Sequence, residues 1–225
     1  MLKLFVILLI SREYKKMKKA VVLIHGLLAR AYVMRYIQNK MIKEGYVVYL
    51  FDYDTRKYSS ETLQNLHQLI SKVEESEVYL VGHSMGGLVA RNYIHQYENN
   101  IKGLVTIATP HNQSICAHNA TKRFKNFLGT SGQSGLTVDI PSWNTKTTIG
   151  CIAGKSKAIL YRNFFLIFHK SDNESDGTVY LNEAILSNCN DSIIVEGSHT
   201  ALLFNNEVIN QCIHFIENNI FKKPN

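Results

Sequence analysis

The residues best suited to do chemistry lie at 82–87, which read Gly-His-Ser-Met-Gly-Gly. They follow the apolar run at 78–81 and precede a stretch with helical periodicity. A serine held on a sharp turn between a strand and a helix has a strained backbone, so the residues two before and two after it must lack bulky side chains. Gly82 and Gly86 meet this requirement. The pattern therefore predicts that Ser84 is an exposed nucleophile at the end of a buried strand.

A serine nucleophile needs a histidine that accepts its proton and an acid that orients this histidine. His199 follows the short apolar run at 193–195, and Asp176 lies in the turn-forming sequence Ser-Asp-Gly-Thr-Val at 175–179. We expect both to lie on loops after strands, where an open parallel sheet gathers its functional groups. The order serine, acid, base along the chain fits this chemistry. Asp172, four residues before Asp176, is the alternative acid.

Acyl transfer places a negative charge on the carbonyl oxygen of the substrate, and two backbone N–H groups must stabilise this charge. The apolar run at 21–24 ends in His-Gly-Leu at 25–27, where one of these donors is expected. We predict that the N–H groups of Leu27 and Met85 form the oxyanion hole. The reaction would proceed through an acyl-enzyme that water hydrolyses, and this chemistry needs no cofactor.

These segments resemble the α/β-hydrolase family, and in particular its small lipase-like esterases. Members carry a similar His-Gly-x turn, Gly-His-Ser-x-Gly-Gly elbow, Asp-Gly-Thr-Val acid loop and Ser-His-Thr base loop, and the resemblance runs from about Lys19 to about Phe221. It implies a minimal α/β-hydrolase fold, with a mostly parallel sheet of about six strands, helices on both faces and a short cap. It also implies a serine hydrolase that cleaves carboxylic esters. An acyltransferase, a thioesterase and a non-catalytic binding protein of the same fold are the alternatives.

Along the chain, β-branched apolar runs alternate with helical periodicity, which is typical of βαβ units and a parallel sheet. A helix is predicted over 59–75 and another near the end of the chain. The predicted strands are 20–25, 46–51, 78–82, 101–108, 148–153 and 192–196. The apolar stripe of the last helix, predicted to be core, consists of Ile209, Cys212, Ile213, Ile216 and Ile220.

The length of 225 residues, of which 45% are hydrophobic, suits one compact domain with a sizeable core. We expect a hydrolase domain over 19–225, with a cap inserted at about 109–147 between strands that flank the site. Large apolar side chains of this cap, Trp143 among them, are candidates either to line an acyl pocket or to pack the cap onto the body. An apolar pocket would favour carboxylic esters with short to medium acyl chains.

Residues 1–18 are predicted to be an N-terminal extension. Its apolar run at 4–10 is too short to span a bilayer, and no small-residue cleavage site follows it. We interpret it as a non-native start or a membrane-contacting segment, with a secretory signal as the alternative. The formal net charge of +7 is interpreted mainly as an aid to solubility, and attraction to an anionic membrane surface as a secondary effect. The expected partner is a small-molecule ester or lipid, not a nucleic acid.

His25 and His83 are interpreted as structural residues whose side chains hydrogen-bond to loop backbone near the site. The other histidines, apart from the predicted base, show no paired spacing typical of metal ligands, so no metal site is predicted. The cysteines lack Cys-x-x-Cys spacing and are predicted to be reduced thiols, which favours a cytoplasmic protein. The cysteines are Cys116, Cys151, Cys189 and Cys212.

Overall fold

The structure, a computed structural model, describes residues 19–97, 101–112, 114, 143–156 and 174–223. Several predictions lie outside this part of the chain. They concern the N-terminal extension, most of the cap, the alternative acid Asp172 and the thiol of Cys116.

One sheet forms the centre of the molecule. Its strands are β1 (Lys19–Ile24), β2 (Val47–Phe51), β3 (Glu77–His83), β4 (Ile101–Ile107), β5 (Thr148–Lys155) and β6 (Asp191–Glu196). They are arranged in the order β2-β1-β3-β4-β5-β6, and every neighbouring pair is parallel. The predicted strands are confirmed, with boundaries that differ by no more than two residues.

The order of the strands determines where a ligand can bind. After β1 the chain adds β2 on one side of that strand and then β3 on the other side. Open parallel sheets bind their ligands beyond the carboxyl ends of the strands at such a reversal. The turn at 25–28, called the β1 turn below, leaves β1 at this point, and Ser84 directly follows β3. The topology thus brings the predicted oxyanion donor and the predicted nucleophile together.

Helices cover both faces of the sheet, as predicted. They are α1 (Arg35–Lys43), α2 (Ser60–Ile70), α3 (Met85–Tyr97), the short α4 (Leu181–Ala184) and α5 (Asn206–Asn218). The core has one part between the sheet and α2 and α3, and another between the sheet and α1 and α5. Ile24 lies in the first part and Leu23 in the second, which explains why β1 is apolar at successive positions. Within the described residues, no helix is both long and apolar enough to cross a membrane.

Helix α2 begins where the sequence predicts and ends earlier. Ser59 is its N-cap, and the Ser59 N–H donates to the Thr62 hydroxyl at 3.3 Å. The helix ends at Ile70, whereas the periodicity predicted residue 75 as its end. The apolar pattern extends past the end of the helix because Val73, which lies after the helix, also packs against the core.

The prediction that Ile220 is a core residue was wrong. The helix α5 ends before it, and Asn219 takes a left-handed conformation with φ of 59°, which turns the chain. Ile220 is therefore 54% exposed, and Phe221 is buried in its place. The ring of Phe221 packs against Phe215, with the ring centroids 5.0 Å apart.

Candidate active site

Ser84 occupies a strained turn between β3 and α3. Its φ is 54°, in the left-handed region that a residue with a Cβ atom rarely adopts. The Ser84 N–H donates to the Ile107 carbonyl at 2.9 Å, and the Ser84 carbonyl accepts from the Gly87 N–H at 3.0 Å. These backbone contacts keep the serine in its unusual conformation, which is characteristic of functional sites.

Glycines surround this turn because the backbone approaches itself closely there. A Cβ atom at Gly82 would lie 2.5 Å from the Cα atom of Gly87. A Cβ atom at Gly86 would overlap the carbonyl oxygen of Ile24, the last residue of β1. The neighbours are backbone atoms that cannot move aside, so both positions require glycine. These two close backbone approaches explain the Gly-x-Ser-x-Gly pattern in the sequence.

Asp176 and His199 form a hydrogen-bonded pair. The Asp176 side chain is 0% exposed, and its Oδ2 lies 2.7 Å from Nδ1 of His199. Its Oδ1 accepts from the N–H groups of Thr178 and Val179, each at 2.8 Å. The His199 N–H also donates to the Asp176 carbonyl at 3.0 Å. Since the carboxylate only accepts, the histidine carries its proton on Nδ1 and leaves Nε2 able to act as a base.

His83 joins the loop of His199 to the turn of Ser84. Nε2 of His83 lies 3.1 Å from the carbonyl oxygen of His199, and the two ring centroids are 4.7 Å apart. Burial, reinforced by the charge interaction with His199, lowers the pKa of His83 to about 3. The ring is therefore neutral at ordinary pH and donates its Nε2–H to that carbonyl. Because His83 immediately precedes Ser84, the contact holds the predicted base near the predicted nucleophile.

The β1 turn passes directly over Ser84. A Cβ atom at Gly26 would lie 2.9 Å from the Cβ atom of Ser84. Leu28 has a φ of 56°, and its N–H donates to the Thr55 hydroxyl oxygen at 3.0 Å. Met85 begins α3, so its N–H has no acceptor within the helix. The predicted oxyanion donors thus belong to two segments that meet at the serine.

His25 stabilises the β1 turn through hydrogen bonds of its ring to the backbone, so its predicted structural role is confirmed. Its Nδ1–H donates to the Gly26 carbonyl at 3.0 Å, and its Nε2 accepts from the Tyr53 N–H at 3.3 Å. The ring also stacks on Tyr53, with centroids 4.6 Å apart. Burial lowers the pKa of His25 and favours the neutral ring that these two hydrogen bonds require.

Sequence reasoning missed two supporting residues, Thr55 and His111. Thr55 follows the carboxyl end of β2, a position that could have marked it as part of the site. His111 is buried, with Nδ1 accepting from Arg91 Nη1 at 3.1 Å and Nε2 3.0 Å from the Thr106 hydroxyl. Its position after Thr-Pro gave no sign of these partners. It anchors the segment that leaves β4 to α3 and to β4 itself.

The described part of the predicted cap belongs to the body of the domain. Trp143 is buried in the core on the α3 side of the sheet, and its Nε1–H donates to the Thr147 carbonyl at 3.2 Å. Of the two interpretations of Trp143, packing onto the body therefore fits the structure. Among the residues that the structure describes, no three His, Cys, Asp or Glu side chains are grouped so that they could hold a metal ion.

A family model described as serine aminopeptidase, S33, matches residues 15–148. The match spans more than half of the chain, so the chain belongs to this family of α/β-hydrolases. The predicted resemblance to the α/β-hydrolases and the predicted fold class are confirmed. No curated protein matches the sequence.

Solved structures with the same fold include several described as lipases or esterases. A lipase from Bacillus licheniformis in its mature form is 18% identical, with a TM-score of 0.61, over 90% of this chain and 92% of that one. A lipase-esterase related protein from Clostridium acetobutylicum is 13% identical, with a TM-score of 0.56, over 91% and 95% of the two chains. Polyneuridine aldehyde esterase is 12% identical, with a TM-score of 0.56, over 89% and 100%. Likenesses at such low identity establish the fold.

Proposed function

We propose that this protein is a serine hydrolase that cleaves carboxylic esters through an acyl-enzyme on Ser84. The observation that carries the proposal is the 2.7 Å hydrogen bond between the buried Asp176 and the partly exposed His199, linked through His83 to the strained turn of Ser84. Each of these groups has a role in nucleophilic acyl transfer, and each lies at the carboxyl edge of the sheet.

In the first half of the reaction, Ser84 Oγ attacks the carbonyl carbon of the ester and its proton passes to Nε2 of His199. Asp176 holds the ring in the required tautomer and stabilises the imidazolium that forms. The N–H groups of Leu27 and Met85 bind the oxyanion of the tetrahedral intermediate. Collapse of this intermediate breaks the ester bond, and the departing alcohol takes the proton from His199.

In the second half, a water molecule gives a proton to Nε2 of His199 and attacks the acyl carbonyl carbon. The same two N–H groups bind the new oxyanion. Collapse then returns the proton to Ser84 Oγ and releases the carboxylic acid. All the groups in this cycle belong to the chain, so the proposed reaction requires no cofactor.

The side chains at the rim of the site favour a substrate whose acyl group is apolar. Leu28, at the end of the β1 turn, is 55% exposed, and Phe204, in the turn that follows His199, is 54% exposed. Tyr36 packs beside Phe204, with ring centroids 5.9 Å apart. Exposed apolar side chains that border a site provide contact area for hydrocarbon. We therefore propose short to medium acyl chains as the preferred substrates.

Aminopeptidase activity is the second candidate, because the matching family model carries that description. A series of p-nitrophenyl esters from acetate to laurate, measured beside leucine p-nitroanilide, separates the two. We expect kcat/KM to be highest on a short or medium ester and to change gradually along the series, since one methylene is worth about 1–3 kcal/mol in an apolar pocket. Faster turnover of the anilide than of every ester would identify a peptidase instead. Added glycerol, with analysis for glyceryl esters, detects an acyltransferase.

A further inference from the structure

Two thiols lie together away from the Ser84 site. Cys151 is buried in β5, and Cys189 is partly buried in the loop before β6. In the pairing of these strands Cys151 lies opposite Ser192, and the Asn190 N–H donates to the Ile149 carbonyl at 2.9 Å. These contacts hold the loop against β5. Cys151 belongs to the core cluster on the α3 side of the sheet and Cys189 packs against that cluster, which brings the two thiols within hydrogen-bonding reach of each other.

This hydrogen bond makes the two thiols unequal. The bond from Cys151 lowers the pKa of Cys189, against the opposing effect of burial, and the Ser192 hydroxyl acts in the same direction as the bond. The same bond, together with burial, raises the pKa of Cys151. The Cys189 thiolate therefore forms at a lower pH than the Cys151 thiolate. The thiolate is the reactive form of cysteine.

Cys151 also has polar neighbours on its buried side. Its Sγ lies 3.6 Å from Nε2 of His111. That nitrogen carries the proton of the ring, because Nδ1 accepts from Arg91. This N–H donates to the Thr106 hydroxyl at 3.0 Å, and the Thr106 hydroxyl donates to the Gly150 carbonyl at 3.3 Å. Cys151 therefore borders polar groups on its buried side, and the Thr106 hydroxyl opposes the rise in its pKa.

We propose that Cys151 and Cys189 are a reversible redox pair that a hydroperoxide converts to a disulfide. The Cys189 thiolate attacks the outer oxygen of the hydroperoxide and breaks the O–O bond, giving a sulfenic acid and, after uptake of a proton, an alcohol or water. Cys151 then attacks the Cys189 sulfur, and the departing hydroxide takes the Cys151 proton to leave as water. The two sulfurs supply the two electrons that reduce the peroxide. A small dithiol reduces this disulfide by thiol–disulfide exchange, which restores both thiols and leaves the dithiol oxidised.

Cys212 provides a matched control within the chain. It lies in α5 and is buried, and burial raises its pKa to about 12. It is therefore a protonated thiol at neutral pH. We expect Cys212→Ser to respond to peroxide as the wild-type protein does.

The test uses the full chain treated with hydrogen peroxide at neutral pH, followed by free-thiol counting and non-reducing peptide mapping. We expect an intramolecular disulfide that joins the Cys151 and Cys189 peptides and disappears on treatment with dithiothreitol. Cys189→Ser should lose thiols at least tenfold more slowly. Cys151→Ser should accumulate a sulfenic acid at Cys189, which dimedone traps. Circular dichroism checks that each variant is folded, and mapping of the wild-type protein decides the question if a variant is not.

The proposal is overturned by three results. The first is a wild-type disulfide that involves Cys116 or a second molecule instead of this pair. The second is dimedone-trappable sulfenic acid at Cys189 that persists without a disulfide. The third is the absence of reaction at Cys189 under conditions that oxidise an exposed model thiol. None of these depends on ester hydrolysis, so the inference and the proposed function fail separately.

Discussion

Replacement of Asp176 by asparagine tests the proposed acid most sharply, because the structure determines how the new amide must be oriented. Oδ1 of Asp176 accepts from two backbone N–H groups at 2.8 Å. An amide nitrogen at that position would face two donors and leave them unsatisfied, at a cost of about 1–3 kcal/mol each. The amide oxygen must therefore take this position. The NH2 group is then left facing Nδ1 of His199.

This orientation has a direct consequence for catalysis. An NH2 group donates to Nδ1, so the ring of His199 carries its proton on Nε2 and cannot accept one from Ser84. The tautomer of His199 with its proton on Nδ1 would place that N–H against the NH2 group of the asparagine. The imidazolium that forms during catalysis would also lose the carboxylate that stabilises it. Together these effects amount to about 5 kcal/mol in the transition state, or a loss on the order of 10³–10⁴ in kcat.

The assay is the steady-state hydrolysis of p-nitrophenyl butyrate, with Asp176→Asn compared with Asp172→Asn as the matched control. The sequence predicts that Asp172→Asn has a mild effect. We expect KM to change little in Asp176→Asn, because the carboxylate does not contact the substrate in the proposed mechanism. Retention of more than a tenth of wild-type kcat by a folded Asp176→Asn variant would refute the reasoning. A greater loss in Asp172→Asn would identify that residue as the acid.

Three further predictions concern the groups around the triad. Gly86→Ala should lower the free energy of unfolding by several kcal/mol in denaturant titrations, since the new Cβ overlaps the Ile24 carbonyl; a loss below about 1 kcal/mol would contradict the contact. Thr55→Val should reduce kcat more than it raises KM, because the Leu28 N–H loses its acceptor, while Thr55→Ser should retain activity; equal kinetics for both variants would argue against this anchor. Burial lowers the pKa of His83 from 6.5 to about 3 on folding, so protonation favours the unfolded chain. Its contribution to stability is complete above pH 6.5 and is lost as the pH falls towards 3, by up to about 1.4 kcal/mol per pH unit. Unfolding of the wild type and of His83→Gln between pH 7 and 4.5 should show a smaller slope for the variant, and identical slopes would be inconsistent with this origin.

The sequence predicts the sheet well, because a parallel strand that is buried on both faces must be apolar at successive positions. It also predicts the Ser84 turn, since the close approach of Gly82 and Gly86 to neighbouring backbone excludes larger residues. Periodicity fails at Ile220, because a single left-handed residue before it reorients the chain without changing the apolar pattern. Sequence reasoning misses Thr55 for a different reason, because the partner of Thr55 in the β1 turn is distant in the sequence.

The choice of acid illustrates the same limit. Turns rich in Asp, Asn and Gly form for backbone reasons alone, so composition could not separate Asp176 from Asp172. What supports Asp176 in the structure is its burial and its hydrogen bond to His199, and both depend on how β5 and β6 lie side by side.

The most direct measurement is the site and stoichiometry of labelling by a fluorophosphonate, which reacts with activated serine nucleophiles. The proposed function predicts one adduct per chain, found by peptide mapping on Ser84, with ester hydrolysis lost in parallel with labelling. Ser84→Ala should neither react nor turn over esters, with a loss on the order of 10⁶ in kcat. An adduct on a different serine, or full hydrolytic activity in the folded Ser84→Ala variant, would contradict it.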